Sequence, residues 1–180
     1  MNKAMSPALS GNVASLHLHP PAPGAPLRQV NSIEVITGKG ILDEPRYFER
    51  QSRATGKPTR RQVSLIEREQ IDQHAFPLGL DQIPPGAVRA NIETTGVDLI
   101  ALVGRDVVIG GAILHFYEPR KPCEKMDAVC VGLRQLMEPN RQGVMAEVIQ
   151  SGRISVGDRI EVYGEVQPQR SDAHRGHEPM

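Results

Sequence analysis

The segment Glu118-Pro119-Arg120-Lys121-Pro122-Cys123 sets a thiol behind two cations, in a run that two prolines keep irregular. Nearby positive charge stabilises thiolate over thiol, so Cys123 reads as a nucleophile or as a soft metal ligand. The plain alternative is an inert, partly buried cysteine in a surface loop. A second cluster, Pro85-Gly86-Ala87-Val88-Arg89-Ala90-Asn91-Ile92, spaces Arg89 and Asn91 two residues apart. On a strand they share one face, where a cation and an amide can grip a phosphate or the polar edge of a pterin-like ring. The plain alternative is a solvated strand face. Asn140-Arg141-Gln142-Gly143 offers a third arginine before an apolar run and, taken alone, is a loop. Cys130 falls on an apolar helical stripe and reads as a small core residue. His115, Cys123 and Cys130 lack the tight ligand spacing of a structural zinc site.

These residues need elements to hold them. Short β-branched runs punctuated by glycine predict strands over 32–37, 62–66, 88–92, 107–109, 112–117, 144–149 and 159–166. Only Gly110-Gly111 separates the fourth run from the fifth, and two residues without Cβ atoms permit the positive φ angles of a tight hairpin. Ser151-Gly152 and Gly157-Asp158 mark turns before and after Ile154. Met126, Val129, Cys130, Leu133, Leu136 and Met137 recur at helical spacing, with Asp127 to cap the start and Pro139 to stop the helix. A second helix is expected over 67–75 from its helix-forming residues. The fold class is α+β and β-rich: one domain, strands with a few short helices.

Composition limits the functions open to this fold. Lys plus Arg and Asp plus Glu both number 21, so no global field draws nucleic acid or an anionic membrane surface. No apolar run approaches the ~20 residues of a spanning helix. Two cysteines cannot build a disulfide framework, and residues 1–30 carry neither a secretory signal nor a transit-peptide pattern, so a soluble cytoplasmic protein is expected. With no Trp and six Phe plus Tyr, the core must be aliphatic. Residues 1–30 hold five of the 15 prolines and are expected to form a flexible leader. Residues 167–180 are expected to be a disordered polar tail, leaving 31–166 as the folded unit.

Four segments carry a family resemblance: RQVSLIERE (61–69), PGAVRANIETTGVDL (85–99), VGRDVVIGGAILHFYEPRKPC (103–123) and RQGVMAEVIQSGRISVGDRIEV (141–162). In this order and spacing, across residues 32–162, the chain resembles the MOSC family, found at the carboxyl end of molybdenum cofactor sulfurases and in stand-alone, YiiM-like bacterial proteins. The family's front motif departs here and survives only as Gly40-Ile41-Leu42-Asp43-Glu44-Pro45-Arg46. The resemblance implies a MOSC-type β-barrel whose pocket holds a molybdenum cofactor, molybdopterin, with Cys123 as the protein's sulfur ligand to the metal. It makes Arg89, Asn91 and Arg141 phosphate or pterin contacts, with Arg120 and Lys121 offsetting the cofactor's anionic charge. Lys39, beside the front motif, is a further candidate. The family also carries an association with pyridoxal phosphate.

Two functions from different classes follow from the resemblance. One is a molybdoenzyme that reduces N-hydroxylated compounds. It implies a separate electron-donor reductase, because the chain has neither an iron–sulfur cysteine cluster nor a G-x-G-x-x-G dinucleotide fingerprint. The other is a carrier of sulfur, through a Cys123 persulfide, or of the cofactor itself. A MOSC fold reduced to a binding module is the third and blandest outcome.

Overall fold

The computed structural model describes residues 8–164. Its frame is a closed barrel of β1 (Gly11–Leu18), β5 (Val63–Glu67), β6 (Ile92–Thr95), β7 (Asp106–Ile109), β8 (Ala112–Pro119), β9 (Val144–Gln150) and β11 (Arg159–Val162). The strands pair in the order β11-β7-β8-β9-β5-β6-β1, and β1 closes the ring on β11 through Gly11 opposite Ile160. Further along, β1 exchanges that neighbour for β2 (Arg28–Val30), with Leu16 opposite Val30. A small antiparallel sheet of β10 (Gly152–Ser155), β3 (Ser32–Ile36) and β4 (Gly40–Ile41) completes the strands. β5 and β6 run parallel, so their connection must cross over, and it does so through α1 (Arg68–Ala75).

Alternation along β5 explains how one strand serves two cores. Val63 and Leu65 point into the barrel with Leu16, Ile92, Leu114, Phe116 and Ala146. Ile66 points outward into a second cluster with Ile71 of α1, Val88, Met126, Leu133 and Met137. Both faces are covered, and all five residues of the strand are buried, the polar Ser64 and Glu67 included. The aliphatic core expected from the composition is present: Phe116 and Tyr47 are the only aromatic residues among the buried hydrophobics described.

Strands expected at 32–37, 62–66, 107–109, 112–117, 144–149 and 159–166 correspond to β3, β5, β7, β8, β9 and β11. The Gly110-Gly111 hairpin joins β7 to β8, with Ile109 opposite Ala112, and α1 lies where the second helix was expected. Three expectations need correction. Residues 1–30 are not a flexible leader throughout, because 11–18 form a barrel strand with Val13, Leu16 and Leu18 buried. Four of those five prolines, Pro20, Pro21, Pro23 and Pro26, sit after Leu18 in the β1–β2 connection, and none interrupts the strand. The strand expected over 88–92 begins only at Ile92, since Arg89 adopts a left-handed φ of 61° that ends any extended run. The single helix over 126–137 is two short ones, α2 (Lys125–Val129) and α3 (Leu133–Leu136), broken at Gly132 with φ 94°. The Asp127 carboxylate accepts from the Gly132 and Arg134 amides and so bridges the break instead of capping the start. The tail expected over 167–180 lies outside the described residues. No helix among those described is long and apolar enough to cross a membrane.

Candidate functional site

A cleft forms against the outer wall of the barrel, where Gln62 and Ser64 of the β5 region and Met145 of β9 face outward. Ser64 and Met145 are register partners, so the wall is set by the β5–β9 ladder. Three loops close over it. The 120–126 loop leaves β8 with the Arg120 amide donating to the Gly143 carbonyl at 2.9 Å. The Cys123 carbonyl then accepts from the Met126 amide at 3.0 Å, and Met126 is buried in the outer cluster. These anchors hold the Cys123 side chain at the cleft, exposed to solvent.

The 84–91 loop is fixed from below by the buried Glu93 carboxylate. It accepts from the Gly86 amide at 2.8 Å, the Arg68 guanidinium at 3.1 Å and Ser15 Oγ at 3.2 Å. Arg89 leaves this loop into the cleft and donates one bond to the Ala25 carbonyl at 3.0 Å. The third loop, 42–47, brings Glu44, Arg46 and Tyr47. Glu44 is fully buried, and its Oε2 accepts from His19 Nδ1 at 2.9 Å, the His19 amide at 3.1 Å and Asn91 Nδ2 at 2.9 Å. Burial pushes the Glu44 carboxyl up, but the His19 side-chain and backbone hydrogen bonds, the His19 charge and the Arg46 amide outweigh it and hold it below its usual value. The Tyr47 ring meets His19 edge-on at 5.7 Å, and the Arg46 and Arg61 guanidinium groups lie over it at 5.3 and 5.4 Å.

The electrostatic character is one-sided. Arg46, Arg61, Arg89, Arg120 and Lys125 line the cleft, and among the described residues no carboxylate does. Arg120 shows what this costs. Its Nη2 donates to the Val88 and Arg89 carbonyls at 3.0 and 3.2 Å, while Nη1 is out of solvent without a partner. The residue as a whole keeps some surface, but its charged end does not. Burial pulls this guanidinium down to about 10, and the Arg61 and Arg46 charges add to the fall against the opposing pull of Tyr47 and Cys123. A buried donor without a partner, in a cleft lined by four further cations, suits an anionic ligand.

Of the residues singled out in the sequence, Cys123, Arg89, Asn91 and Arg120 come together here. Asn91 has no capacity to spare: Oδ1 accepts from the Ser64 amide and hydroxyl, and Nδ2 donates to the His17 carbonyl and Glu44. It braces the cleft. Arg89 and Asn91 reach it from a turn and a strand entry, and not from one strand face. Lys121, Lys39 and Arg141 do not line the cleft. Lys39 pairs with Glu49 at 2.8 Å on the surface, and the Arg141 carbonyl accepts from His74 Nε2 at 3.0 Å. Cys130 is half-buried against the outer cluster. Sequence reasoning missed His19, Glu44, Arg46, Tyr47, Arg61 and Lys125. Arg46 stands in the altered front motif, and His19 in the stretch set aside as leader.

Behind the innermost cavity, of about 50 Å³, the cleft opens past His19, Arg46, Arg89 and Lys125 into a space of about 320 Å³ walled by Pro20, Pro21, Pro23 and Pro45. Among the described residues, no three His, Cys, Asp or Glu side chains gather as metal ligands. The donor set is a single thiol within a cationic ring, which suits a metal that arrives inside an anionic, sulfur-rich cofactor.

No curated protein matches the sequence. The fold is similar to the crystal structure of the YUAD protein from Bacillus subtilis, with a TM-score of 0.71 at 21% identity over 85% of this chain and 95% of that one. It is also similar to YiiM from Escherichia coli, with a TM-score of 0.62 at 20% identity over 88% and 71% of the two chains. For YiiM from Geobacillus stearothermophilus the TM-score is 0.65 at 16% identity, over 84% and 74%. A family model, that of the MOSC domain, matches residues 38–161, which takes in β4 to β10, all but the last residue of β11, and every residue lining the innermost cavity except His19, and the chain belongs to that family.

Proposed function

We propose that the cleft seats a molybdenum cofactor, with Cys123 as the protein's sulfur ligand, and that the protein reduces N-hydroxylated compounds with electrons from a separate reductase. The observation that carries this reading is the cleft's five cations without a carboxylate, around an orphaned Arg120 Nη1 and an accessible thiol. When bound, the cofactor supplies two-electron oxygen-atom chemistry that no side chain here can perform. The protein's own part is binding and orientation. Arg120 and Arg89 hold the anionic group with charge-assisted hydrogen bonds, Arg46, Arg61 and Lys125 add positive potential, and Tyr47 and His19 fix the cleft's inner side. The Glu44–Asn91–Ser64 network keeps the loops that carry these groups in register.

A second reading is favoured by one observation, the exposure of Cys123 at the cleft. A partner protein can reach that thiol, as a sulfur carrier working through a persulfide requires. The test is molybdenum per chain in protein purified from cofactor-producing cells. Cys123→Ala is expected to lose the metal and Cys130→Ala to keep it, and equal metal in wild type and Cys123→Ala ends the ligand assignment. Turnover of an N-hydroxylated base with a chemical electron donor then separates the two readings, since metal bound without turnover favours the carrier.

A further inference from the structure

Outside the thiol pocket the cleft divides around the β1–β2 connection, residues 19–27. One arm is the 320 Å³ space already described, which keeps the cationic character of the floor through Arg46, Arg89 and Lys125. The other, of about 530 Å³, runs between Gly24, Pro26 and Leu27 on one side and Pro84 to Ala87 on the other, with Ala128 and Val129 of α2 alongside. Apart from Arg89 and Lys125, which line both arms, its lining is wholly proline, glycine, alanine, leucine and valine. The partition is held in place by Arg89, whose Nη1 donates to the Ala25 carbonyl at 3.0 Å. That bond uses one of five guanidinium N–H donors, and Lys125 makes no ion pair among the described residues.

We infer that this second arm is a binding site for a small organic anion with a flat apolar body, its carboxylate or phosphate set against Arg89 and Lys125 and its body between the two proline walls. The volume falls in the range of small-molecule sites, and the combination of apolar walls with two cations in the lining is what orients such a ligand. Proline rings offer flat aliphatic faces at little entropic cost, suited to a planar ring. The arm therefore complements the other one: fixed positive charge where a phosphorylated cofactor needs it, and an apolar trough that shares Arg89 and Lys125 with the thiol pocket. As the substrate arm of a reductase it rests on the cofactor reading above, but as an organic-anion site it does not.

The test titrates 2-naphthoate into the full-length protein, followed by calorimetry and by backbone amide NMR shifts. The expected result is one site per chain, with the largest shifts at Ala87, Ala128 and Val129. Ala128→Trp, which puts an indole in the ligand's place, should weaken binding by about tenfold or more. Lys125→Gln should weaken it about twofold to fivefold, the worth of an exposed ion pair. Val129→Asp, a milder surface change, serves as a second variant should the indole disturb folding, and it too should weaken binding. The inference is overturned by no binding at millimolar naphthoate, by affinity unchanged in Ala128→Trp and Val129→Asp, or by shifts centred on Gln62 and Met145 of the innermost cavity. It is equally overturned if neutral 2-naphthalenemethanol binds as tightly as the anion. None of these results depends on molybdenum content, so this site and the cofactor seat fail separately.

Discussion

Replacing Arg120 by Met tests whether the cationic cleft exists to bind an anion or merely to shape the loop. In the ligand-free protein the fall of its guanidinium to about 10 corresponds to at most roughly 3 kcal/mol held against the folded state at neutral pH. Met removes that burden. It also strips the Val88 and Arg89 carbonyls of their donor, at about 1–3 kcal/mol each if no water replaces it. The two effects oppose, so the change in stability should stay within about 3 kcal/mol of zero. Anion binding has no such offset. Losing a charge-assisted contact costs about 1.5–3 kcal/mol, which is roughly a tenfold to hundredfold loss of affinity. Calorimetric titration of inorganic phosphate into wild type and Arg120→Met, with urea unfolding of both, reads the two numbers separately. The pH dependence supplies an internal check: the burden is constant below pH 10 and is relieved as pH rises through it. The variant's stability should therefore gain on the wild type at neutral pH relative to pH 11. A phosphate affinity that is unchanged while stability collapses would show Arg120 to be a structural brace and the cleft no anion site.

Four other outcomes follow. Glu44→Gln should lower stability by about 2 kcal/mol or more at pH 7 through weakened bonds from His19 and Asn91. Because the Glu44 carboxyl sits below its usual value, its contribution is present above that value and vanishes as pH falls through the lowered one. Melting temperatures from pH 7 to 3 should thus converge between wild type and variant. His17 and His74 are buried with their pKa lowered by burial, so stability should begin to fall below about pH 6.5, and His74→Gln should flatten that limb. Glu67 has its pKa raised by burial, with Oε1 on the Leu99 amide and Oε2 unpartnered; Glu67→Gln should leave stability at pH 7 unchanged or raise it in urea unfolding. Gly143→Ala should cost about 3 kcal/mol or more, seen as lost solubility or a steep drop in melting temperature. Its Cβ would overlap the Leu65 carbonyl oxygen, at a φ of 78°, at the end of the β5–β9 pairing.

How much of this was legible in the sequence depended on whether the signal was local. The Gly110-Gly111 hairpin and the strands around it are encoded within a dozen residues, and they lie where the pattern put them. β1 was not legible, because Asn12-Val13-Ala14-Ser15-Leu16-His17-Leu18 mixes small, polar and apolar residues, with Ser15 and His17 buried by partners that no local pattern announces. Ser15 is held by Glu93 and His17 by the Ala90 carbonyl, more than seventy residues away in each case. Arg89 and Asn91 were visible as chemistry but were placed on the wrong scaffold. An isolated Val-Arg-Ala-Asn-Ile run reads as extended, whereas the Glu93 anchor on Gly86, the Arg89 amide bonded to the Gly86 carbonyl and the left-handed φ of Arg89 keep the chain turning there.

The same contrast explains why the thiol was easier to find than its surroundings. Cys123 and Arg120 share one loop, so their spacing survives in the sequence. The rest of the cleft is assembled by Glu44, which joins residue 19 to residue 91 across 25 and 47 positions. Glu44 belongs to the front motif whose form departs from the family pattern. The altered loop delivers Arg46 to the cleft and Glu44 beneath it, and it docks there through a histidine supplied by the β1 end. Barrel closure by β1 and completion of the cleft are thus one event, since the strand that pairs with β11 at Gly11 carries His19 to Glu44 at its other end. A chain cut at residue 20 should lose both together, with cooperative unfolding weakened and phosphate binding abolished. A truncated chain that still bound phosphate with wild-type affinity would separate the barrel from the site.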